Sequence, residues 1–197
     1  MQHADHVGLI RAGVEGAGRR WLEIGAGEGA FTLALADVLG PGGEIVAADR
    51  EARAVARAAA VVGATFPGVS VRAETGDFTA GLPLGPFDGV LAANSLHFVR
   101  DRRPLLAAIL AALTPRTGRL IVVEYDADRG NPWVPHPFSF HSWRREATAA
   151  GFGDPRLLHR VPSRFLGAIY GAVTGPPTST ALDPVLHSRP HGDDREE

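Results

Sequence analysis

The sequence predicts a doubly wound α/β fold: a seven-stranded sheet, mostly parallel, with an antiparallel last strand. Three observations predict it. Short apolar runs alternate with helical stretches along most of the chain, the turn after the first run is rich in glycine, and the last two runs are joined by very few residues. Strands and helices alternating at this spacing imply right-handed βαβ units and a parallel sheet covered on both faces.

Residues 3–17 read as a short amphipathic helix, interrupted by Gly8, Gly13 and Gly16. Strand 20–24 leads into helix 29–39, and strand 44–48 into helix 51–63. Strands 69–73 and 87–92 follow, then helix 102–113 and strand 119–124. Between Asp126 and Phe140, Pro132, Pro135 and Pro137 stand among aromatics and histidines, a composition that predicts an ordered loop. Helix 141–150 ends at Gly151, and strand 155–161 comes next. The run RFLGAIYGAV, Arg164 to Val173, reads as a last strand reached by a tight turn at Pro162 and Ser163. So short a connection requires antiparallel pairing, because a parallel crossover needs a dozen or more residues.

The expectation is one domain over residues 1–173, followed by a disordered tail over 174–197, where Pro, Ser, Thr and Asp lead to the ending HGDDREE. A chain of 197 residues is long enough to bury a substantial core. A formal net charge of -2 gives no electrostatic footprint for nucleic acid or an anionic membrane. All the basic residues are Arg, a compositional bias with no mechanism attached. The absence of cysteine excludes disulfides, thiolate zinc sites and cysteine nucleophiles. MQHADHVGLIRAG lacks the basic-then-apolar pattern of a signal peptide, and no stretch approaches the roughly 18 apolar residues of a membrane span. Together these point to a cytoplasmic protein.

The chemistry-bearing motif is WLEIGAGEGAF. It places Glu23 near the end of the first strand and Gly25, Ala26, Gly27 and Gly29 in the turn into a helix. Glycines let a backbone approach a ligand closely, and a helix N-terminus offers free N–H groups, so the motif is a nucleotide-type cradle. Asp49 ends the second strand, where a carboxylate can accept both hydroxyls of an adenosine ribose. The same loop satisfies the relaxed fingerprint of NAD-binding folds, so it does not choose between the two ligands.

Three further features tilt the choice: Glu23 two residues before the first glycine, GDF (Gly76, Asp77, Phe78) after the third strand, and Asn94 just past the fourth in FDGVLAANSLHF. With these residues the chain resembles the class I, Rossmann-like S-adenosylmethionine-dependent methyltransferases over roughly residues 20–173. Its likeness is greatest to the small-molecule branch around the quinone-biosynthesis methyltransferases, through LLAAILAALTPRTGRLIVVEYD.

The resemblance implies S-adenosylmethionine as cofactor and a role for each matching residue. Gly25, Ala26, Gly27 and Gly29 cradle the methionine part, and Glu23 shapes that pocket. Asp49 holds the ribose hydroxyls, Asp77 contacts the adenine amino group, Phe78 packs by the ring, and the Asn94 backbone faces the methionine amino group. Arg50 departs from the family, which usually has an apolar residue there, although its aliphatic stem could serve.

Methyl transfer from a sulfonium needs an aligned acceptor and, for some acceptors, a base. His97 follows strand four at the carboxyl edge, where ligands of such folds bind, and is the candidate general base, with helix capping or packing as its other reading. Tyr125, Trp133, His136 and His141 overhang the same edge and are candidates for the pocket of a small-molecule acceptor. Asp126, Asp128, His136 and His141 have no spacing that forces them to converge, so no metal is expected. The arginines at 100, 102, 103, 144 and 145 read as solvated helix ends.

Two other functions compete. An NAD-dependent reductase would use the same loop and acid, but the chain has no Tyr-x-x-x-Lys pair. A non-catalytic binding protein of the same fold would look similar from sequence. The segment before strand one is too short for a full helical lid. Either the acceptor is held mainly by the loop from Asp126 to His141, or a second copy, in a homodimer, completes the pocket.

Overall fold

The computed structural model describes residues 1–177. Seven strands form one sheet in the order β3-β2-β1-β4-β5-β7-β6. They are β1 (Arg20–Ile24), β2 (Glu44–Asp49), β3 (Ser70–Thr75), β4 (Gly89–Ala93), β5 (Arg119–Tyr125), β6 (Arg156–Ser163) and β7 (Gly167–Thr174). Five helices flank it: α1 (His3–Val14), α2 (Ala30–Leu39), α3 (Ala52–Thr65), α4 (Arg103–Ala112) and α5 (Phe140–Ala149). β7 is antiparallel to both of its neighbours, so it alone opposes the direction of the other six strands. This is the expected doubly wound sheet.

Burial explains why each run took its place. β1, β4 and β5 are central and covered on both faces, so their apolar residues are almost continuous. β3 is an edge strand and is largely exposed. One core lies between the sheet and α1, α2 and α3, and a second between the sheet and α4 and α5. Val55, Ala58 and Val62 form the buried stripe of α3 at helical spacing. Pro104 occupies the first turn of α4, where a missing N–H costs nothing. The Ser139 side chain accepts the Ser142 N–H and so caps α5.

Four sequence expectations need correction. The reversal before β7 is not at Pro162 and Ser163, which lie inside β6, but at Arg164–Leu166. β6 is the outermost strand, and a proline is tolerated there because an edge strand does not need every N–H. β7 also runs to Thr174, one residue into the segment read as tail; residues 178–197 lie outside the described part. The first helix stops at Val14, and Gly16 then adopts the left-handed conformation that ends it. α1 packs on α2 and against β5, β7 and β6, close over Gly171, so it belongs to a helical layer flanking the sheet.

Arg102 is the fourth correction. It is only 9% exposed, forks onto both Glu146 oxygens at 2.8 and 2.9 Å, and donates to the Val99 and His136 carbonyls. Its guanidinium also lies 4.3 Å from the centre of the Phe138 ring. It therefore fastens the segment after β4 to α5 and to the proline-rich loop. Arg103 and Arg144 are solvated ion-pair partners of Asp101 and Asp154, as expected. No helix among the described residues is long and apolar enough to cross a membrane.

Candidate active site

Strand register assembles the site. Ile24 stands beside Ala48 on one side and Ala92 on the other, and Asp49 pairs with Thr75. The residues that follow, Gly25, Arg50, Gly76 and Asn94, therefore emerge side by side at the carboxyl edge. There they border a cleft of about 650 Å³, whose walls also include Gly27, Asp49, Asp77, Phe78, Ser95 and Phe98. That volume suits a nucleoside-sized ligand.

The glycine loop is shaped by packing on one side and left open on the other. Gly29 has φ +86°, and a Cβ there would collide with Ala58 of α3, so only glycine allows α2 to start so close to α3. A Cβ at Gly25 would stand 2.5 Å from that of Ser95. At Gly27, by contrast, a Cβ would meet nothing within 4 Å, because that face looks into the cleft. The Asp49 carboxylate holds the loop: Oδ2 accepts the Gly27 N–H at 2.8 Å and Oδ1 accepts the Glu51 N–H at 2.9 Å.

Glu23 lies behind the loop, fully buried, and burial raises its carboxyl from the ordinary 4.5 to about 8; the charge of Asp49 adds to the rise. Thr32 moderates the shift without a well-formed bond, since Glu23 Oε2 and Thr32 Oγ1 both lack a partner. Asn94 Oδ1 and Ser95 Oγ are buried without partners as well. Four of the five such atoms among the described residues thus belong to the loop region and the segment after β4. Orphaned buried polar atoms are costly, and their concentration marks a place built for a polar ligand. Asn94 itself has φ +50°, an uncommon conformation at the point where β4 gives way to a 3₁₀ turn.

Because the folded chain holds the Glu23 proton more tightly than the unfolded chain, the unfolded state gives it up first as pH rises. Its contribution to stability is full below about 4.5 and declines until about 8. Glu23→Gln should remove that slope. In urea titrations from pH 5 to 9 the variant should gain on the wild type up to about pH 8 and then run parallel. A constant difference across the range would contradict it.

Asp77 and Arg50 stand on the cleft wall. Asp77 Oδ1 accepts both the N–H and the hydroxyl of Thr79, at 2.8 and 2.7 Å. These bonds, with Arg50 as a weaker influence, hold the Asp77 carboxyl below its usual range and engage Oδ1 alone. Ala26 and Gly29 support the loop from behind.

The structure separates the remaining candidates. His97 is 3% exposed; its Nδ1 lies 2.7 Å from Glu124 Oε2, and its backbone N–H donates to Glu124 Oε1 at 3.2 Å. With the Nδ1 proton directed to the carboxylate, Nε2 is left for a ligand. Tyr125 is half-buried, with its ring centre 6.0 Å from that of His97. Trp133 is exposed in the loop before α5. His136 is half-buried and linked to His97 through its backbone N–H, whereas His141 is exposed on the first turn of α5. Asp126 accepts the Phe140 N–H and pairs with Arg160, and Asp128 accepts the Ser139 N–H. Phe98, Phe165 and Ser95 were not singled out from the sequence; isolated residues in FDGVLAANSLHF and the last hairpin carry no signal of their own until the fold unites them.

Comparison with known proteins decides the family. Residues 22–120 match the family model described as "Methyltransferase domain", half of the chain. The chain belongs to the methyltransferase domain family. It is an S-adenosylmethionine-dependent methyltransferase, as the resemblance implied, and the reductase reading falls away. No curated protein matches it. Among solved structures, the methyltransferase superposes on the YcgJ protein of Bacillus subtilis with a TM-score of 0.68 at 15% identity, covering 89% of this chain and 100% of that one. The N-terminal domain of EvdMO1, solved with SAH bound, gives 0.62 at 25% identity, covering 90% of this chain and 82% of that domain. Against the whole of EvdMO1 the identity is 28% and the TM-score 0.59, covering 89% of this chain and 41% of that protein.

The methyltransferase's own residues fit S-adenosylmethionine. The open face of Gly27 leaves room for a ligand, and the orphaned oxygens of Asn94 and Ser95 on the cleft wall can accept from its polar groups. Asp49 keeps lone pairs for hydroxyl donors, and Phe78 with the Arg50 stem provides flat apolar walls for a base.

Proposed function

We propose that this methyltransferase transfers a methyl group to an oxygen, carbon or nitrogen of a small organic molecule, with His97 as general base. The observation that carries the reading is the buried His97–Glu124 bond just behind the cleft wall formed by Ser95 and Phe98. Gly25, Ala26, Gly27 and Gly29, backed by Glu23, hold the methionine part of the donor. Asp49 binds the ribose, and Arg50, Asp77 and Phe78 surround the adenine. The Asn94 backbone meets the amino group.

Bound S-adenosylmethionine supplies a methyl group on a positively charged sulfur, already activated for in-line displacement. The chain's tasks are to align the acceptor and to take its proton. Glu124 fixes the tautomer and orientation of His97 and favours the imidazolium that forms when Nε2 accepts a proton. The likeness of the helix and fifth strand to the quinone-biosynthesis methyltransferases supports a small organic acceptor.

A thermal-shift panel tests the donor assignment. S-adenosylmethionine and S-adenosylhomocysteine should raise the melting temperature and NAD(H) should not, because only a ligand of the folded state stabilises it. Stabilisation by NAD(H) alone would reverse the assignment.

A further inference from the structure

Beyond the donor cleft, five aromatic rings from four separate segments form a continuous row. Phe98, a wall of the cleft, lies against His97 with the rings tilted and their centres 4.3 Å apart. His97 lies 6.0 Å from Tyr125 at the end of β5, and Tyr125 lies 5.8 Å from Phe165. Phe165 sits in the β6–β7 turn and meets Trp133 edge-on at 6.2 Å. Three of these are the outer members: Phe98 is 61% exposed, Phe165 48% and Trp133 71%. Elsewhere the chain buries its large rings: Trp21, Trp143, Phe87 and Tyr170 are all inaccessible.

Exposed aromatic faces in a row are costly to hydrate and are a common sign of a binding surface. Two features say what this one takes. The row begins on the wall of the donor cleft, so a molecule lying against it has one end where a methyl group is delivered. Its second member is His97, next to Phe98 of the cleft wall, whose Nδ1 is held by Glu124, so the row has a base beside that end. An imidazole is a competent base for a hydroxyl that titrates near 10, as a phenol does, and a poor one for an aliphatic alcohol. Of the carboxylates nearby, Glu124 is bonded to His97 at 2.7 Å and Asp126 is paired with Arg160 at 2.7 Å, while Arg164 precedes Phe165 in the turn.

We infer that the aromatic row from Phe98 to Trp133 is the acceptor site, and that the acceptor is a flat aromatic ring bearing a hydroxyl. This rests on the methyltransferase reading of the cleft and names its substrate class. The reaction balances simply. The phenolic proton passes to His97 Nε2, and the oxygen lone pair forms the new O–CH₃ bond. The S–CH₃ bond breaks with its pair remaining on sulfur, and His97 returns the proton to water. The products are an aryl methyl ether and S-adenosylhomocysteine. Phe165 and Trp133 are then specificity-determining residues at the end of the row remote from the cleft.

Trp133 is itself the reporter, since the other two tryptophans are inaccessible. With S-adenosylhomocysteine bound, catechol and phenol should quench tryptophan emission saturably, and cyclohexanol should not. Phe165→Ala should raise the apparent Kd for catechol about tenfold, and Trp133→Phe should abolish the signal. Methyl transfer from S-adenosylmethionine should follow the same preference. Absence of saturable quenching, or equal quenching by cyclohexanol, would overturn the inference. So would emission that shifts on dilution without any ligand, the mark of a second copy covering the row. Stabilisation of the same sample by S-adenosylhomocysteine separates these outcomes from a failure of the donor assignment.

Discussion

Asp49→Ala should weaken S-adenosylhomocysteine binding by a factor on the order of 10²–10⁴ in titration calorimetry. The carboxylate offers acceptors to two ribose hydroxyls, and hydrogen bonds to a charged group contribute about 1.5–3 kcal/mol each. The same carboxylate also joins Gly27 to Glu51 through their N–H groups, so the substitution frees the loop before any ligand arrives. The unliganded variant should therefore melt earlier as well. Asp49→Asn should fall between the two, since its amide oxygen can keep only one of the backbone bonds. Unchanged affinity in Asp49→Ala would remove the residue from the donor site.

His97→Ala should lower kcat about 10²–10⁴-fold while stabilisation by S-adenosylhomocysteine persists, given an acceptor that must lose a proton. Because this leaves a buried Glu124 without its partner, His97→Gln, which can still donate to Glu124, is the paired variant. It should fold like the wild type and remain slow. Glu124→Gln separates positioning from structure. It can still accept from Nδ1 and hold the ring but carries no charge opposite the imidazolium, so kcat should fall while KM and S-adenosylhomocysteine binding stay near wild type. An unchanged kcat in Glu124→Gln, or a rate in His97→Gln equal to wild type, would dismiss the dyad.

The cleft proposed for the donor was legible in the sequence because its signals are local. The loop needs glycine where α2 starts against α3. Asp49 ends a strand whose apolar run marks it plainly, and Asp77 follows the next strand in the short motif GDF. Register then brings them together with no long-range information beyond the βαβ pattern. The proposed acceptor half was hidden because its parts come from distant places. Phe98 and Phe165 meet the same cluster only once β7 returns beside β5, and nothing in their neighbours announces it. Arg102 was misread for the same reason: an arginine before a helix looks solvated until Glu146 and Phe138 arrive from the far end of the chain. The tight turn was misplaced by two residues because Pro162, a turn signal in isolation, is harmless on an outermost strand.

The order of strands divides the labour along the chain. Every residue on the donor cleft's wall precedes residue 100, and the match to the methyltransferase domain model ends at residue 120. The outer members of the aromatic row, apart from Phe98, come after it. A crossover between two related genes within β5 would thus pass on donor binding intact and exchange what receives the methyl group. Point changes in the Arg164–Leu166 reversal would do the same in smaller steps, since that turn is exposed and its strands are paired by backbone bonds. A fold arranged this way can diversify its products by inheritance at one end while the other stays fixed.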